Sequence, residues 1–427
     1  MNVFDLLAIL VGLSAGFSYL NHRYLKLPMA IGLMLIGLVL SLGLVALGAV
    51  NPAIVETARQ LLAEVAFDET LMRGMLGLLL FAGALHVDIN DLKQERLLIG
   101  LLAVGGTLFS TFLVGGAIYA LLPLLGIEIG WWYALLFGAL ISPTDPIAVL
   151  GILRKLGAPK RLQTQIVGES LFNDGVGVVV FLAILSLAGL GGAGHADMSG
   201  SDILLLFLQE ALGGLLFGGI LGYIGYRMLR SIDNYQVEIL VSLALVVTGY
   251  AVALWLHLSG PIAMVIAGLL LGNQGRSFAM SDTTREHLDM FWELVDEFLN
   301  AILFVLIGLE VLVLTFVGSW VVAGLLSIVI VLVARFLVVT GPINLLRLNP
   351  NRELSRYTSR LMTWGGLRGG ISVALALSIP ATLAGEPFVE RELIVTMTYI
   401  VVAFSILVQG LTMGPLLRRW QQDEDPG

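Results

Sequence analysis

Apolar residues in this chain gather into repeated runs of about 17 to 25, the length a helix needs to cross the hydrocarbon core of a bilayer. Polar and charged residues collect in the short stretches between. In order, the runs predict spans near 4–20, 29–49, 70–87, 97–123, 131–153, 162–189, 203–226, 236–256, 260–273, 298–316, 319–341, 361–382 and 393–416. The ninth is short for a straight crossing, and Ser259, Gly260 and Pro261 blur its outer end. Of the connectors, 51–69, with Glu56, Glu64, Asp68 and Glu69, reads as an outer amphipathic segment, and 281–297 as a capped interfacial helix on the inner side. Both are expected to be scaffold. Segment 191–200 is expected to be a flexible outer loop. The first run opens with Asn2 and Asp5 rather than basic residues, unlike a cleavable signal.

Basic residues test this threading, because they collect on cytoplasmic loops. One side receives Arg23, Lys26, Lys93, Arg96, Arg154, Lys155, Lys160, Arg161, Arg227, Arg230, Arg276, Arg285, Arg347, Arg352, Arg356, Arg360, Arg418 and Arg419. The exceptions are Arg59, Arg73 and Arg391 on the other side, and Arg335 and Arg368 within spans. The expected architecture is therefore an all-α polytopic protein of thirteen spans in the cell membrane, N-terminus outside and C-terminus cytoplasmic. Composition agrees: 58% of residues are hydrophobic and 13% charged, where a soluble domain carries about 25% charged residues. The absence of cysteine excludes disulfides and thiolate metal sites, and nothing points to nucleic acid.

Charges that no loop explains carry the functional signal. The fifth span contains Ser142-Pro143-Thr144-Asp145-Pro146, where two prolines remove helix donors and disfavour helix at the residues before them, so it should break near 142–146. In the next span, Asp174 lies roughly 20 Å beyond Arg161, near mid-membrane and beyond snorkelling range. Ser170 is one turn earlier on the same face, whereas Glu169 points about 140° away and needs a separate partner. The twelfth span holds Gly365, Gly366, Gly369 and Gly370 around Arg368, a second interruption near 365–370. Interrupted spans at corresponding positions in two halves point to inverted repeats, here about 1–190 and 236–417, with an ion site between them. Arg335, about six residues from the inner end of its expected span, could snorkel or pair with an acid.

Ser142–Pro146, the run Gly168-Glu169-Ser170-Leu171-Phe172-Asn173-Asp174-Gly175, and Gly366-Leu367-Arg368-Gly369-Gly370 together resemble the monovalent cation:proton antiporter family, in its bacterial NhaP and animal sodium/proton exchanger branch. The likeness covers nearly the whole chain. It implies a single transmembrane transporter domain without a cofactor, working in lipid as a homodimer. Core helices at about 70–189 and 298–417 would move as an elevator against dimerisation helices from the remainder. By the same resemblance, Asp174 is the ion- and proton-binding carboxylate, Asn173 its neutral neighbour, and Ser170 and the unwound Thr144 further Na⁺ ligands. Asp145 sits at the helix crossing, and Glu169 pairs structurally with Arg368. One departure stands out: many exchangers carry an acid after the third-span phenylalanine, whereas Phe81 is followed by Ala82.

A carboxylate reached alternately from each side can hold Na⁺ or H⁺ but not both, and that competition couples the two fluxes. Asp, Ser and backbone oxygens are hard ligands suited to an alkali ion, with Li⁺ and K⁺ as alternatives to Na⁺. Asp145 and Asp174 on successive spans also admit an intramembrane aspartyl protease, but Asp145 is boxed between prolines and no Gly-x-Gly-Asp sequence is present. A channel is disfavoured because paired interruptions suit alternating access.

Overall fold

The protein was studied as a computed structural model that describes residues 3–48, 50–190, 200–275, 281–315, 317–347, 357–383 and 385–424. Most of the expected outer loop 191–200, and Arg276, Arg352 and Arg356 among the basic residues, lie outside the described residues. Helices account for nearly everything else. A two-residue hairpin, Thr382–Leu383 against Glu386–Pro387, departs from a purely helical chain.

Among the described residues, eight helices are long and apolar enough to cross a membrane. Trp131–Ile141 and Gly260–Gly275 are shorter apolar helices. Polar residues at the starts are N-caps, as their side chains dictate: Asp88 accepts from the Asn90 N–H, Asn234 from Gln236 and Val237, and Ser259 from Ile262. The connector expected at 51–69 contains the helix Pro52–Val65.

Two helices run further than their sequence suggests. Gly318–Arg347 continues through Pro342 instead of stopping before it. Asp282–Leu309, capped by Ser281, joins the expected interfacial helix and the following span into one element.

Trp131–Ile141 sits at the centre of the bundle, with every side-chain position from Ala134 to Ile141 buried. It packs closely on Thr107–Leu121, where a Cβ on Gly138 would collide with the Thr111 carbonyl. A second cluster joins Leu76–Leu85, Tyr235–Trp255, Gly260–Leu270 and Asp282–Leu309 through Phe81, Tyr250, Met264 and Trp292. The Phe81 and Trp292 rings lie 4.7 Å apart, and the Trp292 indole donates to Ser242 Oγ at 3.1 Å. A cavity of about 1000 Å³ opens between Leu76–Leu85, Asp282–Leu309 and the interrupted helices, which still touch where Leu303 packs on Gly370.

Candidate functional site

Both expected interruptions are present. The first broken helix consists of Trp131–Ile141 and Ile147–Lys155, and the second of Thr358–Gly365 and Gly370–Leu377. Pro143 and Pro146 have no N–H to donate, and the glycines around Leu367 and Arg368 make non-helical backbone inexpensive.

The breaks are tied to each other. Asp145 donates its backbone N–H to the Leu367 carbonyl at 2.8 Å. Arg368, 2% exposed, donates Nη1 to the Ser142 and Pro143 carbonyls, both at 2.9 Å. Those carbonyls follow Ile141 at the negative end of the first half-helix, where a cation is stabilised. Asp145 complements the next half: its Oδ1 accepts from the Ile147 N–H at 2.9 Å, at the positive end of Ile147–Lys155.

The helix Lys160–Leu187 carries the remaining groups. Asn173 clamps the unwound Thr144 with both amide atoms: Oδ1 accepts the Thr144 N–H at 3.2 Å, and Nδ2 donates to Thr144 Oγ1 at 2.9 Å. Thr144 Oγ1 also lies 2.9 Å from Ser170 Oγ. Asp174 is 8% exposed. The cavity runs from Lys26, Lys155 and Lys160, among the basic loops, to Thr144, Asp145 and Asp174. Ser170 and Asn173 sit beneath its lining, bonded to Thr144.

The expected Glu169–Arg368 pair is not formed. Glu169, 1% exposed, is instead bound in a fork by Arg335, whose Nη1 and Nη2 donate to its two carboxylate oxygens. Arg335 Nη2 also donates to the Met362 carbonyl at 3.1 Å. The physical reason lies in helix length. Because Gly318–Arg347 passes through Pro342, Arg335 is about 18 Å from the helix end and cannot reach water by snorkelling. Arg368, for its part, is committed to the orphan carbonyls of the first break.

Sequence reasoning also missed a wall of the cavity. Asp289, Glu293, Asp296, Glu297 and Asn300 line it from Asp282–Leu309, the first four from the segment 281–297 expected to be scaffold and Asn300 from the start of the expected tenth span. Their spacing, three to four residues along one face, is the signal that could have identified them.

Gly369 marks the closest approach in the crossing, for a Cβ there would run into the Asp145 carboxylate. Gly369→Ala is expected to lower unfolding stability by about 1–3 kcal/mol through overpacking. Gly365→Ala, whose Cβ would meet its nearest neighbour at an ordinary 3.4 Å, is expected to be near neutral. Thermal melts of the two purified variants make the comparison, and equal melts would contradict the contact.

Two interrupted helices joined at their breaks, with a buried carboxylate beside them at the end of an open cavity, define a secondary transporter of the broken-helix class. The model of the transmembrane sodium/hydrogen exchanger family matches residues 7–419. The chain is 52% identical to the Na⁺/H⁺ antiporter NhaP of Pseudomonas aeruginosa over 97% of its own length and 96% of that protein's. It is 37% identical to the Na⁺/H⁺ antiporter NhaH of Halobacillus dabanensis over 98% of each. In fold it resembles the sodium proton antiporter MjNhaP1 of Methanocaldococcus jannaschii, with a TM-score of 0.75 at 20% identity, covering 98% of this chain and 99% of that one. The chain therefore belongs to the sodium/hydrogen exchanger family. It is a multi-pass membrane protein of a transporter family, not an enzyme, which sets the protease reading aside.

Proposed function

We propose that this protein exchanges Na⁺ for H⁺ across the cell membrane by alternating access, one cation for one proton, with Li⁺ and K⁺ as further candidate cargo. The position of Asp174 carries the reading. It is a mid-helix carboxylate at the end of a cavity, beside a threonine whose backbone has been freed from helix by two prolines. Out of bulk water such a group needs a counter-charge, and a sodium ion and a proton are alternative ways to supply one. Thr144 and Asp174 offer oxygens from the cavity wall, and Ser170 lies one hydroxyl behind them. Asp145 and Arg368 then serve as fixed charges on half-helix ends, and Asn173 keeps Thr144 unwound.

In this reading the chain crosses the membrane thirteen times, with N-terminus outside and C-terminus cytoplasmic. The fifth and twelfth crossings are the equivalent broken helices of two inverted repeats. The cavity mouth among basic residues is cytoplasmic by the positive-inside rule. The protein works as a homodimer, and Leu212, Leu216, Ile220 and Tyr223, all more than half-exposed on Gly200–Leu229, suit lipid or a second copy.

Charge counting supports one-for-one stoichiometry. Glu169 is neutralised by Arg335, and Arg368 and Asp145 are held as opposite fixed charges at half-helix ends, Arg368 on the Ser142 and Pro143 carbonyls and Asp145 on the Ile147 N–H. Asp174 alone changes charge, with Na⁺ on one stroke and H⁺ on the other. Each stroke then carries the same net charge, so the membrane potential, worth about 2.3 kcal/mol per elementary charge per 100 mV, does not bias the cycle. In proteoliposomes, a potential imposed with potassium and valinomycin is expected to leave the rate and end point of sodium/proton exchange unchanged. Net sodium movement driven by potential alone, at equal pH and equal sodium, would overturn the stoichiometry. Absence of any salt-driven proton movement would overturn antiport itself.

A further inference from the structure

We propose that Asp296 and Asn300 form a second binding site, for a hydrated alkali cation, on a different wall of the cavity from Asp174. The inference rests on the reading of this cavity as the sodium path. Its starting point is Asn300. This residue is 6% exposed and lines the cavity, and its Oδ1 has no hydrogen-bond partner among the described residues. A buried, unpartnered amide oxygen on a residue of the cavity wall is the kind of atom that a cation or a water satisfies.

Asp296 supplies the charge. It lies one helical turn from Asn300 on the same face of Asp282–Leu309, also lines the cavity, and interacts with the Asn300 side chain, which holds the amide in place. Asp296 makes no ion pair among the described residues, although Arg154 lies within electrostatic reach of it. So does Asp145 at the helix crossing, which places the pair close to the inner site. The facing helix Leu76–Leu85 contributes only Leu76, Leu79, Leu80, Ala82 and Gly83 to the cavity, so it offers no competing side-chain ligand. One carboxylate and one amide oxygen are hard donors but too few to replace a hydration shell. A cation held there keeps most of its water and remains free to move on to Asp174. The site belongs to a helix outside both broken helices, and its role is capture rather than carriage.

The test is the sodium dependence of exchange by the full-length protein in proteoliposomes. Asp296→Asn and Asn300→Ala are each expected to raise the KM for Na⁺ about fivefold or more while maximal rate is kept, whereas Glu286→Gln, an exposed position on the same helix away from the cavity lining, is expected to change it by less than about twofold. Equal shifts in all three variants would mean a diffuse negative field and overturn the site, as would no shift in the first two. A binding readout removes dependence on turnover. In an Asp174→Asn background, NaCl is expected to raise the melting temperature above that in choline chloride, and adding Asp296→Asn is expected to abolish the difference. No sodium-specific stabilisation in that background would overturn the proposal. Failure of the antiport reading is distinguishable, because it would show as a wild-type protein without sodium-driven exchange.

Discussion

Vesicles containing Asp174→Asn are expected to show no sodium-dependent proton movement above protein-free vesicles, while the protein remains folded and melts no lower than the parent. The amide preserves the shape of the carboxylate but neither takes up a proton near neutral pH nor neutralises a cation. Stability is retained because the substitution removes a charge that burial disfavours. Among the described residues Asp174 makes no hydrogen-bonded clamp of the kind Asn173 makes with Thr144, so its role is separable from the local architecture. A folded variant that still exchanges sodium for protons would remove Asp174 from the mechanism.

Glu169→Ala and Arg335→Ala are each expected to destabilise the protein by about 3–5 kcal/mol, since either change leaves its partner charged and buried. The double variant is expected to recover part of that loss, giving a large coupling energy in a double-mutant cycle. The corresponding cycle between Glu169 and Arg368 is expected to be closer to additive, because Arg368 is hydrogen-bonded to the Ser142 and Pro143 carbonyls. Equilibrium or thermal unfolding in detergent measures both cycles. Stronger coupling of Glu169 to Arg368 than to Arg335 would refute the observed arrangement.

These two results depend on features that differ in how well the sequence displays them. Both helix interruptions were legible because their causes are local: prolines at 143 and 146, and glycines flanking Leu367 and Arg368. Asp174 was legible because its distance from Arg161 excludes snorkelling. The partner of Glu169 was not, because the choice between two arginines depends on how far the helix Gly318–Arg347 extends. The expected span ended at 341, but the helix runs on through Pro342, because proline inside a membrane helix is tolerated where neighbouring groups and local adjustments accommodate the lost bond. Asp282–Leu309 was misread for a related reason. Its acids interrupt the hydropathy that marks a span, and they are stable at this depth because they face a cavity instead of lipid.

The bond from Asp145 to Leu367, together with those from Arg368 to Ser142 and Pro143, fastens two stretches of unwound chain that are far apart in sequence. If the broken helices travel as this fastened unit, the ligand atoms presented to one compartment are the same atoms presented to the other. Intrinsic affinity for sodium and for protons is then equal on the two faces. The moving ligands then contribute no rectification, since a ligand biases an equilibrium only through a difference in affinity between its states, and any asymmetry between the faces comes from fixed cavity walls such as that of Asp296 and Asn300. Reversing both gradients would run the same cycle backwards, so whether a cell uses the protein to expel sodium or to admit it is decided by the concentrations it maintains.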